Sequence, residues 1–251
     1  MLLCSKFTMG SIPENTSKNT HNVVARLLFE EQSIKVLDIP SGAGAFTKRL
    51  LDRNVQVYSA DIENIMRVDN DNFRVADMNL RLPYDDQFFD AVICIDGIEH
   101  LERPFDFVRE CARILKQDGV LILSTPNINA LRSRWRWFWT GHHNKGKLPL
   151  NESQPSPLHH INLMSYQRLR YILHSSGFAV DKVATNRIKL ISWVYCIFIP
   201  VSFLFTTFVY RSEKDQQQRS KNVEIKRALF SKPLLFGETM IIKARRGKSE
   251  K

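Results

Sequence analysis

The sequence predicts an α/β fold, a doubly wound and mostly parallel sheet covered by helices on both faces. Three observations lead there. Strand-like and helix-like segments alternate along most of the chain. The strand-like segments are near-continuous apolar runs, FDAVICI at residues 89–95 above all. A glycine-bearing loop within VLDIPSGAGAF, residues 36–46, joins the first such run to a helix. Strands buried on both faces read as unbroken apolar runs, and parallel pairs need helical crossovers.

The elements follow in order. Residues 1–20 are polar and rich in Ser, Thr and Asn, a flexible lead-in. Val23, Val24, Leu27 and Leu28 recur at helical spacing within 21–31. Residues 34–39 form a short β-branched strand and 45–51 a helix. Strands follow at 55–62, 73–78 and 89–95. Residues 104–115 form a helix, with Pro104 in its first turn and Gly119 just beyond its end. Residues 120–124 are a further buried strand. A helix at 166–174 closes on Gly177, and 178–183 and 239–243 are the last two strands. Two segments stand outside this plan, 126–160 and the apolar run 188–211.

Composition narrows the classes. The chain has 251 residues, enough for one large domain. Cys4, Cys94, Cys111 and Cys196 are scattered without a CxxC, which predicts a reducing compartment and neither zinc nor disulfides. No histidine–carboxylate spacing suggests a metal. The first residues lack a basic region and a long apolar core, so a secreted protein is not expected. The net charge is +10, and from Arg211 onward twelve Lys/Arg face five Asp/Glu. Such a tail suits nucleic acid, an anionic membrane surface or solubility alone.

The glycine loop lies at the carboxyl ends of the strands, where ligands bind in such sheets. Gly42 and Gly44 permit close approach. No Lys–Ser/Thr pair follows, so the loop is not a P-loop. Thr47 holds the place of a third glycine, which weakens a dinucleotide reading, and a tight turn alone would also explain two glycines. The acids downstream add meaning. Asp61 ends the second strand, where it can accept from both hydroxyls of a ribose. Asp77 and Met78 end the third, where an adenine ring would lie. Asp38 ends the first, placed to orient the loop or to accept from an ammonium. A ribose acceptor and an adenine edge without a phosphate device describe S-adenosylmethionine.

Taken in order, VLDIPSGAGAF, SADI, VADMNLRLPYDDQFFDAVICIDGIEHL, ILKQDGVLILSTPN and FGETMIIKARR resemble the class I S-adenosylmethionine-dependent methyltransferases, in the flavour of the ubiquinone-biosynthesis branch. The resemblance implies a Rossmann-like, seven-stranded sheet of order 3-2-1-4-5-7-6 with the seventh strand antiparallel. It implies that Gly42 and Gly44 pack on the methionine part of the cofactor. Asp61, with Ile62 beside it, would bind the ribose, Asp77 and Met78 would border the adenine, and Ile95 would flank the other side. The family has glycine where this chain has Pro40, so that position must need neither a positive φ nor a backbone donor.

Methyl transfer needs positioning and sometimes a base. The candidate bases are His100 in IDGIEHL and His159 and His160 in PLHHINLMSY. The competing readings are a helix brace for Glu99–His100 and a solvated loop for the other two. Asn127 would orient an acceptor or simply make a turn, and His142 and His143 read as surface residues.

Residues 190–210 carry no charge, between Arg187 and Lys189 on one side and Arg211 and Lys214 on the other. That matches a membrane segment, with a core helix or dimer interface as the alternative. Because the run lies between the last two strands of one sheet, both ends must return to the same side. Pro200 divides it into two halves, each of roughly 15 Å if helical. The expectation is a re-entrant hairpin or an in-plane kinked helix. Trp135, Trp137 and Trp139 interleave with Arg132, Arg134 and Arg136. This suits a headgroup region first, a substrate lid second and RNA third.

The predicted organisation is a lead-in at 1–20 and a methyltransferase core at 21–187, with 126–160 as a substrate lid or interfacial segment. A hydrophobic membrane-associating insertion follows at 188–211, then a basic connector with the last strand at 212–246 and a tail at 247–251. The predicted function is methyl transfer, probed first for an oxygen of a lipophilic or lipid-linked acceptor such as a quinone precursor or polyprenyl-linked glycan. The predicted place is the cytoplasmic face of a membrane. The alternatives are a soluble or RNA acceptor, with the apolar run only an anchor, and a non-catalytic membrane adaptor.

Overall fold

The computed structural model describes residues 12–33 and 35–247. Its centre is a seven-stranded sheet of order β3-β2-β1-β4-β5-β7-β6. The strands are β1 (Lys35–Asp38), β2 (Gln56–Asp61), β3 (Phe73–Val75), β4 (Phe89–Ile95), β5 (Leu115–Pro126), β6 (Phe178–Thr185) and β7 (Thr239–Arg246). β1 pairs in parallel with β2 and β4, as do β2 with β3 and β4 with β5. β7 runs antiparallel to both β5 and β6. The sheet is therefore mixed, a correction to the mostly parallel sheet that alternation predicts. β7 follows a long excursion and enters as a return between β5 and β6.

β4 shows why a continuous apolar run suits this place. Its residues alternate between two cores. Val92 and Cys94 face one, shared with Phe107, Val108 and Cys111 of α3 (Pro104–Ile114) and Leu169 and Leu173 of α5 (Tyr166–Ser175). Ala91, Ile93 and Ile95 face the other, shared with Val24 and Leu27 of α1 (Thr20–Leu28) and Phe46 and Leu50 of α2 (Ala45–Leu51). Each fully buried aliphatic or aromatic side chain contributes about 1.5–3 kcal/mol, so a polar residue at any position from 91 to 95 would cost one core or the other. β3 is shorter than predicted. Ala76 leaves the strand with its amide on the Asp61 carbonyl at 2.8 Å, which frees Asp77 and Met78 for a loop.

The segments outside the predicted plan are largely helical. Leu131–Thr140 forms α4. Leu190–Phe198 is a 3₁₀ segment that passes into α6 (Ile199–Arg211), with Pro200 in the first turn of α6. α7 (Gln216–Leu229) follows, capped by Asp215, whose side chain accepts from the Gln218 amide. The short α8 (Lys232–Phe236) leads into β7. The 22 residues Leu190–Arg211 are apolar and long enough to cross a membrane, and little of their surface is buried by the rest of the chain.

The loop after β1 contains a close contact. A Cβ on Gly97 would lie 2.4 Å from Cδ of Pro40, a separation that real atoms do not adopt. Pro40 fills the space where a less bulky residue would leave room, so Gly97 must stay bare. Gly97→Ala should cost about 1–3 kcal/mol by overpacking, read as a lower denaturation midpoint. Adding Pro40→Gly should recover part of the loss; no recovery would place the strain elsewhere.

Candidate functional site

A cavity of ≈ 370 Å³ opens at the carboxyl ends of β1, β2 and β4. Asp38, Gly42, Asp61, Ile62, Asp77, Met78, Ile95 and His100 all line it, as the sequence predicts. Gly44 does not. It adopts φ 87° ahead of α2, and a Cβ there would meet Met66 and Val68 at 3.0 Å. Its bare Cα gives room to Met66 and Val68 of the following loop.

The Asp61 carboxylate organises the loop. Oδ2 accepts the Gly42 amide at 2.8 Å, and Oδ1 accepts its neighbour Ile62 amide at 2.7 Å. Gly42 itself has φ 53°, which glycine adopts without steric cost. A carboxylate has about four acceptor positions, so Asp61 keeps capacity for a ligand's hydroxyls. Asp77 Oδ1 takes the Asn79 amide at 2.8 Å, and Asn79 Oδ1 in turn accepts the amides of Glu102 and Arg103. The adenine-side loop is thus tied to the start of α3.

Thr47, at the place of the absent third glycine, has a positive role. It is fully buried and donates to Asp38 Oδ2 at 2.7 Å. It also contacts Ser59 Oγ at 2.8 Å, and Asn70 donates to the same Ser59 at 2.9 Å. Burial pushes the Asp38 carboxyl up to about 7, against the pull of the Thr47 hydrogen bonds, and the nearby Asp61 charge adds to the rise.

Other lining residues lay outside the sequence prediction, Asp96, Thr16 and His21 among them. Asp96, just past β4, accepts from Thr16 and Ser124 hydroxyls at 2.5 Å each. Thr16 and His21 belong to the lead-in and α1, yet both line the cavity. Asp96 ends a strand as the other site acids do, so its position was a usable signal. Nothing in the polar lead-in marked Thr16.

The histidines converge. His100 ends a 3₁₀ turn, Ile98–His100, and its Nδ1 lies 3.0 Å from the His159 carbonyl. That contact favours a proton on Nδ1 and leaves Nε2 as the basic nitrogen. The His160 ring packs edge-on against His100 at 4.8 Å between centroids. Burial, foremost, lowers the pKa of both rings, which favours neutral imidazoles. The segment 157–166 therefore folds over the cavity mouth, and His159 contributes there through its main chain. Asn127 is structural: its side-chain amide donates to the carbonyls of Pro233, Leu234 and Gly237. His143 is held by Ser133 at 3.0 Å and stacks on Trp137, so it is more than a surface residue.

Glu99 is fully buried. Neither carboxylate oxygen has a hydrogen bond of normal geometry, and the Thr125 hydroxyl that pulls its pKa down is itself without one. Burial, with the Asp96 charge second, pushes the Glu99 carboxyl up to about 8. Ligand atoms of Glu99, His100 and His160 lie within 4.8 Å of one another. Spacing along the chain had suggested no metal, because this trio is assembled across the segment after β5.

One outcome follows. Asp38, whose folded pKa is raised, stabilises the native state at low pH, and this contribution is lost as pH rises from about 4 through about 7. Asp38→Asn should therefore gain on the parent in thermal melts between about pH 5 and about pH 8. A constant difference would show that Asp38 is ionised throughout.

Comparison with known proteins agrees with this geometry. A methyltransferase-domain family model matches residues 37–123. The chain is 27% identical over 136 residues to the ubiquinone biosynthesis O-methyltransferase of Dechloromonas aromatica, covering 47% of this chain and 57% of that protein. It is 31% identical over 106 residues to the enzyme of the same name from Xanthomonas campestris, covering 37% and 43%. The chain thus spans about half the length of the curated relatives it matches. Among solved structures, a SAM-dependent methyltransferase from Archaeoglobus fulgidus superposes with TM-score 0.54 at 20% identity, over 90% of this chain and 95% of that one. The [4+2]-cyclase SpnF superposes with TM-score 0.51 at 16% identity, over 90% and 79%, so the fold alone does not fix a reaction. The matched segment 37–123, the strand order and the acids at the strand ends all agree with a methyltransferase domain of the S-adenosylmethionine-dependent fold.

Proposed function

We propose that the protein transfers a methyl group from S-adenosylmethionine to an oxygen of a lipophilic or membrane-linked acceptor, working at a membrane surface. The observation that carries the transfer is the Asp61 carboxylate, set at the cavity wall with the Gly42 amide bound to it. The residues present fit the cofactor. Asp61 retains acceptor positions for ribose hydroxyls, and Met78, Ile62 and Ile95 offer apolar surface for an adenine ring. Asp38 is a buried acid that an ammonium would compensate. When bound, the cofactor supplies an electrophilic methyl group on a sulfonium.

The chain's own part is positioning and proton handling. His100 Nε2, oriented by the His159 carbonyl, is placed to accept the hydroxyl proton of the acceptor, whose oxygen would take the methyl group that the bound cofactor supplies. The loop carrying His159 and His160 covers the mouth and limits water. An oxygen acceptor accords with a neutral imidazole base at this place, and with the printed names of the curated relatives.

The membrane part rests on exposed apolar surface. Leu190 is 88% exposed and Phe208 77%, while Trp137, Phe138 and Trp139 project from α4 beside them. Trp135 stacks on Phe198 at 5.0 Å, which joins α4 to the 3₁₀ segment as one apolar shelf. α6 packs along α7, with Phe203 against Phe230 and Lys226 over the Phe203 ring. A bilayer-spanning α6 would carry Arg219, Lys221 and Arg227 of α7 into hydrocarbon, at about 2.5–3.5 kcal/mol for each at mid-bilayer. An in-plane shelf with the basic helix near the headgroups avoids that cost.

The test supplies labelled methyl donor with native membranes and soluble extract, then partitions the product. Label should enter the organic phase, and Asp61→Ala should abolish it and weaken donor binding by at least about tenfold. Label confined to the aqueous phase would move the acceptor to a soluble molecule. Donor binding without turnover on any fraction would favour an adaptor.

A further inference from the structure

A smaller pocket, of ≈ 140 Å³, lies apart from the first cavity and shares no lining residue with it. It is set between the end of β5, the start of α4, the 3₁₀ segment and the turn from α8 into β7. Its walls carry four cations, Arg132, Lys145, Lys147 and Lys189, and one carboxylate, Glu238. That carboxylate is already engaged. It receives Arg187 at 2.5 Å and Lys189 at 3.0 Å, with Lys145 at 3.7 Å. Arg132 and Lys147 have no carboxylate partner among the described residues. Ser192 lines the pocket at only 5% exposure, and its hydroxyl has no hydrogen-bond partner among the described residues. Unlike the enclosed Thr125 and Ser231 hydroxyls, it keeps contact with open space. The neighbouring acceptors are occupied. The Ser133 hydroxyl is held by His143 Nδ1 and the Asn144 amide, and Asn127 is spent on three carbonyls and the Asn129 amide. The ten-residue α4 begins here on Ala130, which offers no capping side chain, so the positive end of its dipole adds to the field.

Cations gathered around one carboxylate repel one another, and a buried hydroxyl without a partner costs free energy. A compact anion in the pocket relieves both. A phosphate monoester suits it better than a carboxylate does. It carries nearly two charges at neutral pH and three acceptor oxygens, and a guanidinium fork matches it. An enclosure of this size takes one head group, not a polyanion lying along a surface. We propose that this pocket binds the phosphate monoester group of a ligand, with Arg132 and Lys147 as its charge partners and the Ser192 hydroxyl as a further donor. A phosphomonoester lipid head and a soluble phosphorylated molecule share that chemistry. Phe236 in the pocket wall stacks on the exposed Trp193 at 4.6 Å, so the rim adjoins the apolar shelf where a lipid chain would lie. The assignment makes no use of methyl transfer, and neither reading falls with the other.

Full-length protein is titrated calorimetrically with glycerol 3-phosphate at fixed ionic strength, with glycerol as the uncharged control and acetate as the monoanion. Glycerol 3-phosphate should saturate with a stoichiometry near one per chain, and both controls should bind at least about tenfold more weakly. Arg132→Gln and Lys147→Gln should each weaken binding by at least about tenfold. Ser192→Ala should weaken it by about threefold to tenfold. Lys214→Gln removes the same charge from an exposed position outside the pocket, and should leave binding unchanged. Thermal melts that match the parent show each variant folded, and where Arg132→Gln melts early, Lys147→Gln carries the test. Absence of saturable binding would overturn the proposal. So would equal losses from Lys147→Gln and Lys214→Gln, which would mark attraction to net charge alone. Flotation on phosphatidylcholine vesicles with and without phosphatidic acid separates the sources. If Lys147→Gln loses the phosphatidic acid-dependent part while Lys214→Gln keeps it, the phosphate is a lipid head. If Lys147→Gln floats as the parent does yet fails to bind glycerol 3-phosphate, the ligand is a soluble phosphorylated molecule.

Discussion

The cavity depends on a carboxylate being held where two strands end. Asp61 closes β2 and binds the Gly42 and Ile62 amides, so the loop after β1 is fixed by its neighbour strand rather than by its own turns. Beneath it, Asp38, Thr47 and Ser59 form a buried chain of hydrogen bonds that joins β1, α2 and β2. A loop held in this way has little freedom to lose when a ligand arrives, which preserves binding free energy. The departure at Pro40 is absorbed locally. The ring packs against bare Gly97, and the Ser41 amide still reaches the Ala60 carbonyl at 2.9 Å.

A second constraint is set by Glu238, at the entry to β7. It receives Arg187 at 2.5 Å, Lys189 at 3.0 Å and Lys145 at 3.7 Å. Although burial opposes it, the hydrogen bonds from Arg187 and Lys189 hold the Glu238 carboxyl down to about 2. The same hub thus ties the base of the apolar insertion and the segment after β5 to the sheet. Without such a tie, a long insertion between adjacent strands would add ordering cost with no return.

The sheet was readable in the sequence because burial on two faces leaves a direct signature. Apart from Asp90, the run 89–95 is apolar for the physical reason that adjacent residues serve different cores, and its bounds agree with the structure. The acids that line the cavity were readable for a related reason: they sit at strand ends, a place set by the fold. What the sequence hid was assembled across distance or written in the wrong period. Glu99 and His160 meet only because the segment after β5 folds back. The Trp/Arg alternation of 132–139 suggests a two-residue period, yet the segment is a helix in which Trp135 and Trp139 share a face at 5.5 Å. α7 was missed because QQQRSKNVEIKRAL carries few apolar residues, and its ordering comes from the Asp215 cap and contacts of Ile225 and Leu229. A second demand on Gly44 was also hidden: its missing Cβ makes room for Met66.

The segment 126–160 connects the two halves of the molecule's chemistry. Its start is pinned by Asn127 to α8, its middle is the tryptophan helix α4 on the apolar shelf, and its end brings His159 and His160 to His100. Between them Lys145 reaches both Ser17 of the lead-in, at 2.7 Å, and Glu238 at the foot of the insertion. A displacement of α4 at a surface would therefore be felt at the cavity mouth through one covalent segment and two polar ties. In a packed protein such ties favour a few discrete arrangements over continuous deformation. If α4 docks at a membrane as proposed, the same ties carry that docking to the cavity mouth.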